Sequence, residues 1–424
     1  MTSRVYKLGI ENELRFVVYE EKTVSLELLS GHAEIFGSEL ALNTIYTFQP
    51  FSSISLFSWQ GCKVKLTGNV FNPCIKKDSL IMISVNVHAC LQEQRLLADS
   101  TSRKGPISLV VGSAKSGKST FCHFLLNYAI RMGRKPLFVD LDVFQNSSSV
   151  PGTVSIFPVE KPSHISEGFF KQALSVYLFG YTHPCENTKL YFLLIKQLAK
   201  MVKKQLIVEK LDAFYSGVII DAFNWIRKNG YWAILLAARV FEPDVVFVVN
   251  NKRLFLKLKN DVPSNVEVVY IPKQKGIFAF RKKFEKEHIK TNLMWRYFYG
   301  SIEVPSTPYT FDVKFSDIEI YSSARYSNAD LTIHDLRNID VKDLESVKVP
   351  ITPNLINSIL GLSYAEKLNE NLLLTNVKYF VCVVSVDMEK EIVRVLSPKP
   401  PPMPSKILVS SFMKFYKDNY MMLK

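Results

Sequence analysis

The segment GSAKSGKST at residues 112–120 has the residue types and the spacing of a phosphate-binding loop. It matches G-x-x-x-x-G-K-[ST], follows an apolar run at 107–111, and precedes a helical pattern that ends at Gly133. Glycines let a backbone wrap around phosphates, while successive N–H groups and a helix N-terminus attract an anion. We predict a nucleotide site in which Lys118 meets the β- and γ-phosphates and the Ser119 hydroxyl binds Mg²⁺.

Two carboxylates end the next apolar run, at 136–142. Asp140 and Asp142 are separated by one residue, so both lie on the same side of a strand. In phosphoryl transfer one carboxylate holds Mg²⁺ through water, which we assign to Asp140, and another accepts the proton of the attacking hydroxyl, which we assign to Asp142. The alternative is that both are acidic residues of a solvated loop.

A third apolar run ends at Asp221 and is followed closely by Trp225. This is the edge at which open α/β sheets bind ligands, so Trp225 either stacks on a nucleobase or packs into the protein. The charged stretch at 280–296, which contains Arg281 and several lysines, predicts an exposed basic helix. That helix is either a lid over the phosphates or a solvated face.

The composition narrows the class of protein. The hydrophobic fraction of 47% excludes disorder over most of the length. The length of 424 residues is enough for two to four domains. Charges interrupt the apolar stretches before the roughly 18 residues that a membrane helix requires, and the charged N-terminus does not look like a secretory signal. A net charge of +14 indicates attraction to a polyanion such as nucleic acid.

The six cysteines are scattered without a C-x-x-C pair. This pattern favours buried free thiols in a reducing compartment, the cytosol or the nucleus, over disulfides or a zinc site. The cysteines are Cys62, Cys74, Cys90, Cys122, Cys185 and Cys382.

The chemistry-bearing residues must be positioned by the surrounding elements. Up to about residue 87, short β-branched and aromatic runs recur between turn residues and predict an all-β domain. Residues 88–103 are polar and predict a connector. From Gly105 onward apolar runs alternate with helical patterns, which predicts a parallel sheet with helices on both faces.

After Gly300 the strand patterns return, with one helical stretch at 354–367 and a proline-rich connector at 398–404. The predicted architecture is an α/β P-loop NTPase core between an N-terminal all-β domain and a C-terminal mainly-β domain. The boundaries that we expect are 1–92, 93–300 and 301–424.

Further motifs accompany the phosphate loop along nearly the whole chain: ELRF at 13–16, LLSGHAEIFGSEL at 28–40, WQGC at 59–62, DLD at 140–142, PGT at 151–153, YFYG at 297–300, VKFSD at 313–317 and VLSP at 395–398. In this order they resemble the motifs of the Clp-type polynucleotide 5′-hydroxyl kinases, the ATP-binding subunits of eukaryotic pre-mRNA cleavage factor.

The resemblance implies ATP and Mg²⁺ as cofactors and RNA 5′-hydroxyl ends as substrate. It also implies a nuclear location and a partner, the large cleavage-factor subunit that binds the RNA polymerase II C-terminal repeats. Some animal members accompany the tRNA-splicing endonuclease, which makes that enzyme a further candidate partner.

By matching position, the resemblance implies a role for each site residue. Glu13 would contact the adenine side of ATP, Asp142 would be the general base, Trp225 would stack on the terminal base, and Arg281 would be a lid arginine. Gln145 lies in the loop that approaches substrate. The phosphate cradle would be Gly112, Lys115, Ser116, Gly117, Lys118, Ser119 and Thr120.

The chain departs from the pattern of active members beside these residues. Phe144-Gln145-Asn146 replaces a glycine-containing segment, Leu293-Met-Trp-Arg296 replaces an arginine-rich run, and Ser53 replaces a basic residue. Two functions therefore stay open. The chain is either an active RNA 5′-hydroxyl kinase or a catalytically inactive, ATP-bound scaffold subunit of the cleavage factor.

Overall fold

The computed structural model describes residues 2–19, 23–77, 81–144, 149–169, 175–208, 212–272, 283–301, 304–324, 339–367 and 371–416. Three residues named above, Gln145, Asn146 and Arg281, lie outside these ranges.

The N-terminal region is a sandwich of two antiparallel sheets, as the runs of β-branched residues predict. One sheet has the order β1-β8-β3-β6 and the other β5-β4-β7-β2-β9, and Leu14, Leu26 and Val64 lie in the core between them. The strands are β1 Ser3–Leu8, β2 Asn12–Val18, β3 Val24–Gly31, β4 Glu34–Ile35, β5 Ser38–Glu39, β6 Ile45–Phe48, β7 Ser53–Ser58, β8 Cys62–Thr67 and β9 Val70–Lys76.

The predicted connector at 88–103 is wrong, because helix α1 runs over Ile81–Thr101. Its buried positions recur at the three- and four-residue intervals of a helix. The pattern is hidden in the sequence because polar residues, Ser84, His88 and Arg95, occupy half of those positions. The helix packs against the helix that follows the phosphate loop.

The central region alternates strands and helices around one sheet. Its elements are β10 Ile107–Gly112, α2 Lys118–Arg131, β11 Leu137–Asp140, β12 Thr153–Pro158, β13 Ser175–Leu178, α3 Thr188–Val208, α4 Asp212–Ser216, β14 Val218–Asp221, α5 Asn229–Phe241, β15 Val245–Val249, α6 Lys252–Asp261, β16 Glu267–Ile271 and α7 Lys283–Tyr299.

The strand order in this sheet is β16-β15-β10-β14-β11-β12-β13. The strands from β16 to β11 are parallel, as predicted, whereas β12 pairs antiparallel with β11 and β13 pairs antiparallel with β12. Helices cover both faces, because Val111 packs with Leu194 of α3 and Ala237 of α5, whereas Val110 packs with Leu125 of α2 and Leu91 of α1.

The C-terminal strands continue the central sheet through the pairing of Val176 in β13 with Val377 in β21. These strands are β17 Tyr309–Lys314, β18 Glu319–Ser323, β19 Ser346–Lys348, β20 Ser358–Ser363, β21 Val377–Asp387, β22 Ile392–Ser397 and β23 Ile407–Lys414.

The helix predicted at 354–367 is wrong. A 3₁₀ turn at Pro353–Leu355 leads into β20, which lies between β21 and β23 and is buried along its whole length. A strand buried on both faces shows no alternation, so its apolar run resembles a short buried helix.

The exposed basic helix expected at 280–296 is also partly wrong. Helix α7 is present, but its described side chains at 289–299 are buried or half-buried, and Met294 and Phe298 belong to the central core. Burial of the apolar side chains in the second half of α7 therefore decides how the helix packs, despite its many charges.

All six cysteines are free thiols, as expected, although only Cys62, Cys122 and Cys382 are buried. Among the described residues, no group of three or more His, Cys, Asp or Glu side chains could hold a metal ion. No helix in the described ranges is sufficiently long and apolar to cross a membrane.

Candidate functional site

The phosphate loop joins β10 to α2, which is the strand–loop–helix arrangement that its motif requires. Lys115 and Gly117 adopt positive φ angles of 59° and 98°, which turn the backbone around the loop. Gly112 has no space for a side chain, because a Cβ there would lie 2.6 Å from the carbonyl oxygen of Val249. The amide of Ser116 donates to the carbonyl of Ser113 at 3.2 Å.

Three carboxylates meet this loop because β10, β14 and β11 are neighbours and run in the same direction. Asp221 at the end of β14 pairs in register with Val110 on one side and with Asp140 on the other. Asp142 follows closely, and its amide donates to Asp140 Oδ1 at 3.0 Å. The parallel register therefore gathers these acidic side chains at one edge of the sheet.

Asp221 is the acidic residue bound to the loop itself. Its carboxylate is buried and hydrogen-bonds the Ser119 side chain. Burial raises the pKa of Asp221 to about 6, Lys118 and Ser119 oppose the shift, and the charge of Asp142 adds to it. Among the described groups, Asp221 Oδ1 has no hydrogen-bond partner.

This pair of oxygen donors fits Mg²⁺. P-loop NTPases hold that ion with the loop Ser or Thr and a strand-end Asp, the positions that Ser119 and Asp221 occupy. Binding of Mg²⁺ through water by Asp140 stays a prediction, and the sequence pattern gave Asp221 no role. The contact of Asp221 with Ser119 depends on strand order, which a single sequence does not reveal.

Lys118 is buried and connects to Asp142 through a residue that the sequence analysis missed. The ammonium of Lys118 donates to Asn224 Oδ1, and Asn224 Nδ2 donates to Asp142 Oδ2 at 2.6 Å. The other carboxylate oxygen of Asp142 accepts the amide of Phe144 at 3.0 Å. The predicted base is thus oriented by two donors from different loops.

Trp225 follows Asn224 and is half-buried beside the central core. Its ring centroid lies 5.9 Å from that of His183, and a Cβ on Gly230 would lie 2.2 Å from its carbonyl oxygen. The packing alternative accounts for these contacts. Stacking of Trp225 on an RNA base stays a prediction.

Glu13 lies on the face of the sandwich that covers the central region. It pairs in register with Phe57, which packs with Ile81 of α1 and Phe124 of α2. The carboxylate of Glu13 is buried, accepts a hydrogen bond from Arg15 at 2.6 Å, and accepts another from Ser55. A contact between Glu13 and adenine stays a prediction.

The fold and the loop geometry define a P-loop nucleotide-binding protein with an α/β core. Three family models match the chain: the N-terminal β-sandwich domain of polyadenylation factor at residues 7–98, the P-loop of mRNA cleavage and polyadenylation factor CLP1 at 112–300, and pre-mRNA cleavage complex II protein Clp1 at 307–417. The chain belongs to the Clp1 family.

Relatives and solved structures agree along the full length. "Polyribonucleotide 5′-hydroxyl-kinase Clp1" of Homo sapiens is 39% identical over 412 residues, which cover 97% of this chain and 96% of that protein. "Protein CLP1 homolog" of Culex quinquefasciatus is 37% identical over 415 residues, covering 98% and 97%. The structure of a wild-type Clp1p–Pcf11p complex superimposes with a TM-score of 0.84 at 22% identity, covering 98% of both chains.

Proposed function

We propose that this protein is an ATP-dependent polynucleotide 5′-hydroxyl kinase that acts as a subunit of the pre-mRNA cleavage factor. One observation carries the proposal: Lys118 of the phosphate loop and Asp142 are joined through a single side chain at the carboxyl edge of the sheet. In this proposal Lys118 meets the γ-phosphate and Asp142 meets the attacking hydroxyl, on either side of Asn224. The name of the human relative, a polyribonucleotide 5′-hydroxyl-kinase, supports the same reaction.

The reaction needs few groups. The 5′-oxygen of the RNA attacks the γ-phosphorus of ATP, the bond between that phosphorus and the β–γ bridging oxygen breaks, and ADP leaves. Asp142 accepts the proton of the hydroxyl as the new bond forms. Lys118 stabilises the negative charge on the transferring group, and Ser119 and Asp221 would hold Mg²⁺, which neutralises the phosphates when bound.

The remaining roles follow the family. Glu13 on the adenine side, Trp225 on the terminal base, and Arg281 and Gln145 toward the transferring phosphate and substrate are parts of this proposal. So are a nuclear location and service in tRNA splicing. The partner would be a large cleavage-factor subunit, as in the solved Clp1p–Pcf11p complex.

A second candidate is an ATP-bound scaffold without turnover. The observations that favour it are two departures from the pattern of active members: Phe144 stands in place of a glycine-containing segment, and Leu293-Met-Trp-Arg296 replaces an arginine-rich run. In this case nucleotide would stabilise the subunit for docking on its partner. Both candidates require the same phosphate loop and differ in whether a phosphoryl group leaves it.

The test uses purified protein with γ-labelled ATP, Mg²⁺ and a 5′-hydroxyl RNA oligonucleotide. Lys118→Ala removes the cation, and Asp142→Asn removes the base while keeping the shape of the side chain. A kinase transfers label to the RNA and loses that transfer by at least about a hundredfold in both variants. A 5′-phosphorylated RNA is the matched control, because it has no 5′-hydroxyl to accept the label.

The amount of bound nucleotide distinguishes the scaffold. If the unmodified protein and Asp142→Asn bind ATP, Lys118→Ala does not, and no label reaches the RNA, the kinase proposal is wrong and the scaffold stands. If ATP binding survives Lys118→Ala unchanged, the loop is not the nucleotide site and both candidates fail.

A further inference from the structure

We propose that Asn224 is an internal competitor for the phosphate site. Its carboxamide hydrogen-bonds both Lys118 and Asp142 until the γ-phosphate of ATP displaces it. The inference rests on the proposed function and adds a residue that sets nucleotide affinity and the readiness of the base. It follows from two hydrogen bonds made by one side chain.

The direction of these hydrogen bonds is unambiguous. Lys118 carries donors only and an ionised Asp142 carries acceptors only, so an amide between them must present its oxygen to the lysine and its nitrogen to the aspartate. Asn224 has this orientation, with Nδ2 at 2.6 Å from Asp142 Oδ2. The amide thus complements both charges, and each of its hydrogen bonds is of the charge-assisted kind.

The carboxamide stands where the reacting atoms belong. In-line transfer requires the γ-phosphorus and the attacking oxygen to lie between the cation and the base. Asn224 bridges that gap with one planar group. The γ-phosphate therefore cannot bind the Lys118 ammonium while that ammonium donates its hydrogen bond to Asn224 Oδ1. Because Lys118 is buried at the start of α2, it has little freedom to serve both acceptors.

Displacement of Asn224 has a second consequence. Its Nδ2–H occupies Asp142 Oδ2, so this oxygen is already engaged as an acceptor when the attacking hydroxyl must deliver its proton. When the phosphate takes Lys118, the amide loses one of its two anchors and its hold on Asp142 weakens. The amide of Phe144 still orients the carboxylate through Oδ1. Nucleotide binding would therefore release the base while leaving it in position.

The decisive variants differ only at this side chain. Asn224→Ala removes the competitor, whereas Asn224→Asp replaces it with an anion that holds Lys118 more tightly. Asn229→Ala, in the first turn of α5, is the matched control. The measurement is the dissociation constant of a non-hydrolysable ATP analogue with Mg²⁺, beside that of AMP, which has no β- or γ-phosphate to reach Lys118.

We expect Asn224→Ala to tighten binding of the ATP analogue by about tenfold to a hundredfold, the range for one hydrogen bond to a charged group. Asn224→Asp should weaken it by a similar factor, and the AMP constants should stay within about twofold in every variant. Unfolding midpoints, measured in parallel, show whether each variant is folded.

The inference is overturned if Asn224→Ala leaves the analogue's constant unchanged or weakens it, since Asn224 would then be neutral or part of the cradle. A parallel change in AMP binding would also overturn it, because the effect would not pass through Lys118. Failure of the proposed function is a separate result: no variant, including Asn224→Ala, would transfer label to a 5′-hydroxyl RNA, whatever its affinity for the analogue.

Discussion

The hydroxyl of Tyr128, in the helix that follows the phosphate loop, donates a hydrogen bond of 2.6 Å to the carboxylate of Glu34 in the N-terminal sandwich. Arg131, one turn further along α2, donates to the same carboxylate at 2.6 Å and also to Glu39. Glu34 is 2% exposed. The helix that begins at the nucleotide site is thus fastened at its other end to the N-terminal sheets.

The two carboxylates on Arg131 allow a matched test of this attachment. Glu34→Gln should lower the free energy of unfolding by about 1 to 3 kcal/mol, because it weakens two hydrogen bonds to a buried acceptor. Glu39→Gln should change it by less than about 0.5 kcal/mol, because Glu39 is 69% exposed and solvent screens the ion pair. Denaturant unfolding of both variants measures the difference, and equal losses would contradict this account of the interface.

Gly112 is expected to tolerate no side chain. A Cβ would lie 2.6 Å from the carbonyl oxygen of Val249 and 2.8 Å from Ser116 Oγ, so Gly112→Ala must displace either the neighbouring strand or the loop. We expect ATP binding to weaken at least about tenfold, because displaced loop amides no longer point their N–H groups at the phosphates. Isothermal titration with ATP and Mg²⁺ measures this loss.

Gly133→Ala is the control for that substitution. Unlike Gly112, Gly133 has a positive φ, 75°, and a Cβ there meets nothing within 4 Å. The change should cost about 1 kcal/mol of stability through backbone strain and leave ATP affinity unchanged. Equal effects of the two substitutions on affinity would mean that the crowding at Gly112 does not explain the loss.

Local patterns predicted the elements whose buried faces are apolar and failed where polar residues are buried. The strand at 107–111 and the phosphate loop were readable because β-branched runs and glycine spacing report directly on local structure. Helix α1 was not, because Ser84, His88 and Arg95 fill core-facing positions. Strand β20 was mistaken for a helix because burial on both faces removes its alternation.

The residues of the candidate site show the same contrast between local patterns and packing. Lys118, Ser119 and Asp142 were predicted from motifs and strand ends, whereas the contacts of Asp221 and Asn224 depend on which strands are neighbours. Asp221 reaches Ser119 only because β14 lies between β10 and β11. That order brings together residues more than a hundred positions apart, and no spacing in the sequence records it.

His88 makes stability depend on acid pH. Burial, together with the charges of Arg95 and Arg131, lowers the pKa of His88 from 6.5 to about 4. Between these values the unfolded chain binds a proton at this residue that the folded protein excludes, so stability present above pH 6.5 is lost as the pH falls toward 4. His88→Leu should flatten this part of the stability profile by about one proton. His32→Leu, at an exposed position, is the control for replacing an imidazole by an apolar side chain.

Ser119 and Asp221 predict how affinity for ATP depends on the metal. If they hold Mg²⁺ against the phosphates, Ser119→Ala removes a ligand that matters only when the ion is present. We expect the variant to bind ATP about tenfold more weakly than the unmodified protein in Mg²⁺, and equally well in excess EDTA. Ser100→Ala, in the last turn of α1, controls for loss of a hydroxyl. A loss in EDTA as large as that in Mg²⁺ would mean that Ser119 contacts the phosphates directly, and Asp221 would then serve to orient its hydroxyl.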